Sequence, residues 1–438
     1  MRDLSRRGVL KLAASGAGSC LVFPTIIRAS ALGKSGAVAP SERVVLGYIG
    51  LGPRGSQNLR EQMSVDIAQV VGVCDVWQNR RDGAKRMVDQ HYGNSDCRAY
   101  RDFRELLARD DIDAVGIATP DHWHVPMTAM AAKAGKDVHC EKPLGISVEE
   151  DLACRAAVKR YGRVFQYGTE ARSRMTQREA CEIVRSGALG AIREIHVLAP
   201  NSNAGGSRAP KPVPPTLDYD LWLGPAPWRP YSGCPDSGPA WYHVRDYALG
   251  FIAGWAAHPL DLMVWACDVH AAGPWEVEGT AKIDANGCND AACDWDVRFT
   301  LANGILMTLR TNGSPGKPPH PYAQLNNDYA LFIGERGAIA IGYSRVWAQP
   351  PGLLRAQRTV RLRESRGQED DFIRCVRSRQ TPVSPIDDAV HSDLVSQVAD
   401  IAIRAGRKIR FDPLKGEALG DAEAQRMCGR ALREPWRT

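Results

Sequence analysis

Metal and disulfide chemistry have little to stand on in this sequence. None of the twelve cysteines in the 438 residues falls in a C-x-x-C pair, and no His/Cys group has zinc spacing. No metal is therefore expected. Several cysteines lie inside apolar runs, where a thiol behaves as a small hydrophobe. Cys288 and Cys293 flank a loop and are candidates to pair. Internal repeats are absent, as is any apolar run outside the N-terminal segment long enough to span a membrane. A basic run suited to nucleic acid is missing too. Of the net charge of +6, Arg2, Arg6, Arg7, Lys11 and Arg28 against Asp3 place +4 within the first 31 residues, leaving +2 for the rest. What remains is a globular composition, 44% hydrophobic and 24% charged, on a chain long enough for two domains.

The N-terminus reads as a targeting segment. Ser5-Arg6-Arg7-Gly8-Val9-Leu10-Lys11 resembles a twin-arginine export signal, a weakly apolar stretch runs from Leu12 to Ile27, and Ala29-Ser30-Ala31 offers a small-x-small cleavage site. Cys20 has Ala17 where a lipobox carries Leu, so lipid attachment is not expected. The expected organisation is a signal peptide over 1–31, a linker over 32–43, a Rossmann domain over 44–167, an α+β domain over 168–413 and a tail over 414–438. The location is periplasmic or otherwise exported, reached through the twin-arginine machinery.

From Val44 onward, short apolar runs alternate with amphipathic segments. Val44–Ile49, Ile67–Cys74, Ala114–Ala118, Val138–Cys140 and Val164–Tyr167 read as strands. Stretches near 55–63, 78–91, 101–109, 124–134 and 148–161 read as helices. That alternation predicts βαβ units around a parallel sheet. After about residue 170 the pattern changes. A helix over Thr176–Ser186 precedes a strand over Ile192–Leu198, and residues 200–245 form a loop region rich in Pro, Gly and aromatics. A helix follows over Ile252–Ala266. Trp295–Leu301 and Ile305–Thr311 pair across Asn303-Gly304, and Ala330–Ile333 and Ala338–Ile341 across Gly-Glu-Arg-Gly. A last helix spans 387–405. The second half therefore reads as a large, mostly antiparallel open sheet with helices on one face, and its exposed face suggests a homo-oligomer.

Gly50-Leu51-Gly52-Pro53-Arg54-Gly55 closes the first strand and opens the first helix. The glycines permit a tight turn, close approach of a pyrophosphate and close helix–strand packing, while the helix N-terminus favours phosphate. Asp75 ends the second strand, where a carboxylate accepts from ribose hydroxyls and repels a ribose phosphate. NAD is therefore favoured, with Arg80 and Arg81 leaving NADP open. Thr119-Pro120-Asp121-His122-Trp123-His124 and Glu141-Lys142-Pro143 follow the third and fourth runs, on the side where open α/β sheets bind ligands. A lysine there can lower its pKa through burial and act as acid or base.

Together with Ala134 to Pro143, Gly168-Thr169-Glu170-Ala171-Arg172-Ser173 and Leu217 to Pro225, these motifs resemble the Gfo/Idh/MocA oxidoreductases, the family of glucose–fructose oxidoreductase and inositol dehydrogenase. Phe411-Asp412-Pro413 through Arg433-Glu434-Pro435-Trp436 resembles the ending of an exported branch. The resemblance covers roughly 44–438. It implies Lys142 and His258 as catalytic groups and Gly50, Leu51, Gly52, Arg54, Gly55, Asp75, Thr119, Pro120, His122, His124, Glu141 and Lys142 around the cofactor. His124, Arg172, Arg245, Tyr247 and His258 are implied around a carbohydrate, with Asp246 also a candidate. The family block D-x-G-x-H-x-x-D reads Gly254-Trp255-Ala256-Ala257-His258-Pro259-Leu260-Asp261, so its first acid is missing and weight moves to His258. Relatives more often carry Gln at Glu170.

Export of a folded protein implies that the cofactor travels bound and is recycled in each cycle. Oxidation of one sugar with reduction of another achieves this. So does transient oxidation of a glycoside, elimination of its aglycone and re-reduction. A dehydrogenase using diffusible NAD(P)H and a non-catalytic sugar or dinucleotide sensor are the alternatives.

Overall fold

The glycine-rich turn and the lysine turn follow two strands of one parallel sheet that have a single strand between them. The computed structural model describes residues 38–233, 238–284, 286–311 and 328–436. The export segment, Cys20 and the linker up to residue 37 lie outside the described residues. Residues 38–43 contain a short turn over Pro40–Glu42, with Arg43 donating to the Val38 carbonyl.

Six strands form the first sheet: β1 Val44–Ile49, β2 Ala68–Cys74, β3 Arg98–Tyr100, β4 Ala114–Ile117, β5 Asp137–Glu141 and β6 Phe165–Gly168. Their order is β3-β2-β1-β4-β5-β6 and every pairing is parallel. This is the doubly wound order with its switch point between β1 and β4, where such sheets bind ligands beyond their carboxyl ends. β4, β5 and β6 are buried along their whole length, and in β5 and β6 that burial takes in Asp137, His139, Glu141 and Gln166. The short edge strand β3 was not expected from the sequence.

Nine strands form the second sheet: β7 Ile192–Ala199, β8 Trp275–Lys282, β9 Cys293–Leu301, β10 Leu306–Thr311, β11 Tyr329–Gly334, β12 Gly337–Gly342, β13 Val346–Gln349, β14 Ile409–Asp412 and β15 Glu417–Ala418. Their order is β13-β12-β11-β7-β10-β9-β8-β14-β15. Only β7 and β10 run parallel. Both expected hairpins form. Gly304 takes a positive φ of 86° in the Asn-Gly turn, and Gly334 pairs with Gly337 across the other. Cys288 and Cys293 are not joined: Cys288 Sγ meets Asn289 Oδ1 and Cys293 Sγ meets the Ala291 carbonyl.

The expected helix over 252–266 is two, Phe251–Gly254 and Ala257–Ala266. The helix Ile386–Ala405 is almost entirely buried, packing against the helices Val148–Arg160 and Ala257–Ala266 and against β8. It thereby joins the two sheets through one core. An unanticipated helix, Gln368–Ser378, returns the chain to the first sheet beside the helix Pro53–Met63. Near the end of the chain, Trp436 packs edge-on against Trp123.

Candidate active site

Gly50 adopts a φ of 88°, and a Cβ on Gly55 would overlap the Gly50 carbonyl oxygen. These two glycines let the helix Pro53–Met63 start directly beneath the turn. Asp75 braces it: Oδ2 accepts from the Leu51 N–H at 2.6 Å and Oδ1 from the Trp77 N–H at 2.8 Å. Each carboxylate oxygen keeps a lone pair for a hydroxyl. Burial raises the Asp75 carboxyl, while the Trp77 N–H and Arg80 pull it back. Arg81 donates to the Asp75 carbonyl, and the Arg80 guanidinium lies 5.3 Å from the Trp77 ring centre.

A cavity of about 420 Å³ opens over this turn. Small-molecule sites span roughly 300–1,000 Å³. Gly50, Leu51, Gly52, Arg54, Gly55, Asp75, Thr119, Pro120, His124, Glu141 and Lys142 all line it. These residues fit a dinucleotide: a helix N-terminus for phosphate and a braced carboxylate for ribose.

Lys142 stands at the far end, after β5, and its bond to Pro143 is cis. Nζ donates to the Gly254 carbonyl at 2.6 Å and lies 5.9 Å from the Tyr242 ring centre and 5.8 Å from that of Trp255. Burial lowers its pKa, with Glu141 and Asp121 opposing. Glu141 accepts from Arg54 Nε and Asn58 Nδ2, both at 2.7 Å, and Arg54 also meets Glu170 at 3.2 Å. Burial would raise the Glu141 carboxyl, but Arg54 and Lys142 draw it down to about 2. His124 ties the neighbouring loops together. Its Nδ1 lies 2.6 Å from the Pro143 carbonyl oxygen and its Nε2 2.9 Å from that of Thr119. Asp393, from the helix Ile386–Ala405, accepts from the Leu144 N–H at 2.6 Å and fixes the far side of the lysine turn.

Other expected residues lie elsewhere. His122 is not on the cavity wall. It is buried with Trp222 and Tyr247, Nε2 lies 3.1 Å from the Trp222 carbonyl, and burial lowers its pKa to about 3. Tyr247 belongs to that same aromatic cluster. Arg172 is fully buried, bound to Asp261 at 2.7 Å and Asp388 at 2.5 Å, so its fork is spent on protein carboxylates. Arg245 faces Asp400 at 3.5 Å, and Asp246 faces Arg229 at 3.4 Å. His258 packs between Trp255 and Tyr343 outside the cavity lining, and its Nδ1 has no hydrogen-bond partner among the described residues. Burial, then Lys142, holds it well below the usual imidazole range, hence neutral. Trp241 and Tyr242, stacked at 3.8 Å, line the cavity without having been anticipated. Their aromatic-rich segment was the available signal. For Asn58 it was the i, i+4 spacing from Arg54.

The depressed Glu141 carboxyl has a pH consequence. Its contribution is present above the ordinary carboxyl range near 4.5 and is lost as pH falls through about 2. Urea unfolding of the wild type and Glu141→Gln should show a stability gap of roughly 3 kcal/mol near neutrality, closing between pH 5 and pH 2. A gap independent of pH would contradict the assignment.

Comparison with known proteins adds the family. Residues 44–169 match the model of the oxidoreductase family NAD-binding Rossmann fold, and residues 203–438 match that of the oxidoreductase family C-terminal alpha/beta domain. An alpha-N-acetylgalactosaminidase of Shewanella oneidensis is 33% identical over 168 residues, covering 34% of this chain and 36% of that protein. The chain thus spans about a third of the length of such curated relatives. Among solved structures, the aldose-aldose oxidoreductase of Caulobacter crescentus covers 84% of this chain and 100% of its own, with a TM-score of 0.59 and 18% identity. The WlbA dehydrogenase of Bordetella pertussis, in complex with NADH and UDP-GlcNAcA, covers 84% and 98%, with a TM-score of 0.60 and 18% identity. At that identity the likeness speaks for the fold. With both halves matched, the chain belongs to the Gfo/Idh/MocA oxidoreductase family and carries its NAD-binding domain.

Proposed function

We propose that this protein is an exported oxidoreductase that acts on a hydroxyl of a sugar, polyol or glycoside with a tightly held NAD, and that Lys142 is its acid–base group. One observation carries the reading: Lys142 lies on the wall of the cavity that the glycine turn and Asp75 also line. Gly52, Arg54 and Gly55 would hold the pyrophosphate and Asp75 the ribose. NAD bound there supplies hydride acceptance and donation. Lys142, kept toward its neutral form by burial, takes the hydroxyl proton as the carbinol becomes a carbonyl, and returns it in the reverse direction. The Gly254 carbonyl gives Nζ a neutral resting acceptor that a substrate oxygen replaces. His258, neutral and close enough for Lys142 to bias its charge, is the second candidate for this proton.

Export follows from the residues Ser5 to Lys11 and implies a cofactor recycled in place. Exchange between two sugars fits that requirement. The Shewanella relative's name favours a second form, redox-neutral cleavage of a glycoside.

Lys142→Ala should retain its dinucleotide yet reduce it roughly a thousandfold more slowly when sugars or chromogenic glycosides are offered, followed by nicotinamide absorbance. Undiminished turnover would sink the assignment. A fusion of residues 1–45 to a reporter that is exported only when folded should lose export on Arg6/Arg7→Lys/Lys. Persistent export of that variant would remove the twin-arginine reading.

A further inference from the structure

The cavity over the glycine turn has walls from both halves of the chain. Val76 and Trp77, just after β2, line it, and so do Leu221 and Trp222 from far along the sequence. The two stretches are joined by backbone. The Gln78 N–H donates to the Thr216 carbonyl at 2.9 Å, the Asp218 N–H donates to the Val76 carbonyl at 3.2 Å, and Trp77 and Leu217 form an antiparallel bridge. Arg101, also on the cavity wall, meets Asp218 at 3.5 Å. Asp218 in turn caps the short helix Tyr219–Leu223, its Oδ1 accepting from the Leu221 N–H at 3.1 Å. The segment 216–225 therefore borders the cavity at the end that Asp75 braces.

A helix of five residues has almost no stability of its own, so outside contacts decide where it sits. The Trp222 carbonyl accepts from Trp123 Nε1 at 3.0 Å. Gly224 follows with a φ of 48°, and a Cβ there would lie 2.0 Å from Trp123 Cζ2, so only glycine seats the chain on that indole. The remaining carbonyls are held by the end of the chain. Arg433 donates from Nε to the Gly224 carbonyl at 2.8 Å and from Nη2 to the Asp220 carbonyl at 2.7 Å. Its Nη1 meets Asp220 Oδ1 at 2.5 Å, and its backbone N–H donates to the Pro225 carbonyl at 2.9 Å. Trp436, 7% exposed, packs its ring 4.7 Å from that of Trp123 and 6.0 Å from that of Phe103. Trp123 and Phe103 both line the cavity, whereas Arg433 and Trp436 do not.

We propose that Arg433 and Trp436 retain the cofactor: they hold the segment 216–225 against the adenosine end of the cavity, and the dinucleotide leaves only when that segment lifts. Both are positioning residues. Lifting breaks the Arg433 fork together with the pairing to residues 76–78, so these contacts are lost on the way to the open state and slow release. The inference rests on the reading that this cavity holds NAD tightly, and it supplies a physical cause for that retention.

The test reads release, not turnover. Purified protein carrying its own NAD is mixed with an excess of isotopically heavy NAD, and the light NAD left on the protein is followed by mass. Arg433→Ala should release NAD about tenfold faster than the wild type at a temperature where both stay folded. Arg407→Ala serves as the control, because it cuts different bonds of the C-terminal tail, those to Asp421 and Glu423. It should release at the wild-type rate. Equal rates in Arg433→Ala and the wild type, or equal acceleration in both variants, overturn the proposal. Should Arg433→Ala fail to fold, Arg433→Lys keeps the charge but loses the fork that spans the two carbonyls. Its release should also quicken, and an unchanged rate overturns the proposal. A wild type that holds NAD beside variants that hold it equally ends this proposal alone, whereas a wild type that arrives empty ends the underlying reading.

Discussion

Glu141 fixes the distance on which the site depends. Its carboxylate is buried and takes hydrogen bonds from Arg54 and Asn58, one turn apart on the helix that starts at the glycine turn. The next residue along the chain is Lys142. One side chain thereby ties the glycine-turn end of the cavity to its lysine end, bridging from β1 to β5 over the intervening β4. Arg54 extends the link to Glu170 beyond β6. Removing one member of such a buried network strands the charge of another, which is costly.

The second half of the chain completes the same site. The helix Ile386–Ala405 delivers Asp393 to the backbone that follows Pro143, and Asp393 also accepts from the Tyr167 hydroxyl at 2.6 Å. Burial raises that carboxyl to about 7. The short helix Phe251–Gly254 delivers the carbonyl that holds Nζ, and Tyr242 and Trp255 stand beside the amine. The lysine turn is therefore shaped by both sheets.

Elements whose burial is two-sided were legible in the sequence. β4 is apolar along its length and surfaced as a run, and β5 and β6 surfaced through the apolar residues between their polar ones, whereas β3 is three residues at an edge and left no run to read. The break at Trp255-Ala256 was invisible because apolar residues continue through it. In the site, the glycines and Asp75 were readable from the turn at a strand end, Lys142 stood out through the resemblance, and the structure places all of them on one cavity. The settings of Arg172 and His122 were not readable. An arginine's partner is unmarked in the sequence, and Arg172 meets Asp261, 89 residues away.

The central claim is that this cavity holds NAD tightly, with Lys142 at its reactive end. The most direct measurement is to purify the protein without added cofactor, denature it and identify any released dinucleotide by mass. The account predicts NAD or NADH at about one per chain. Protein that arrives empty and binds NAD and NADP only weakly would contradict it.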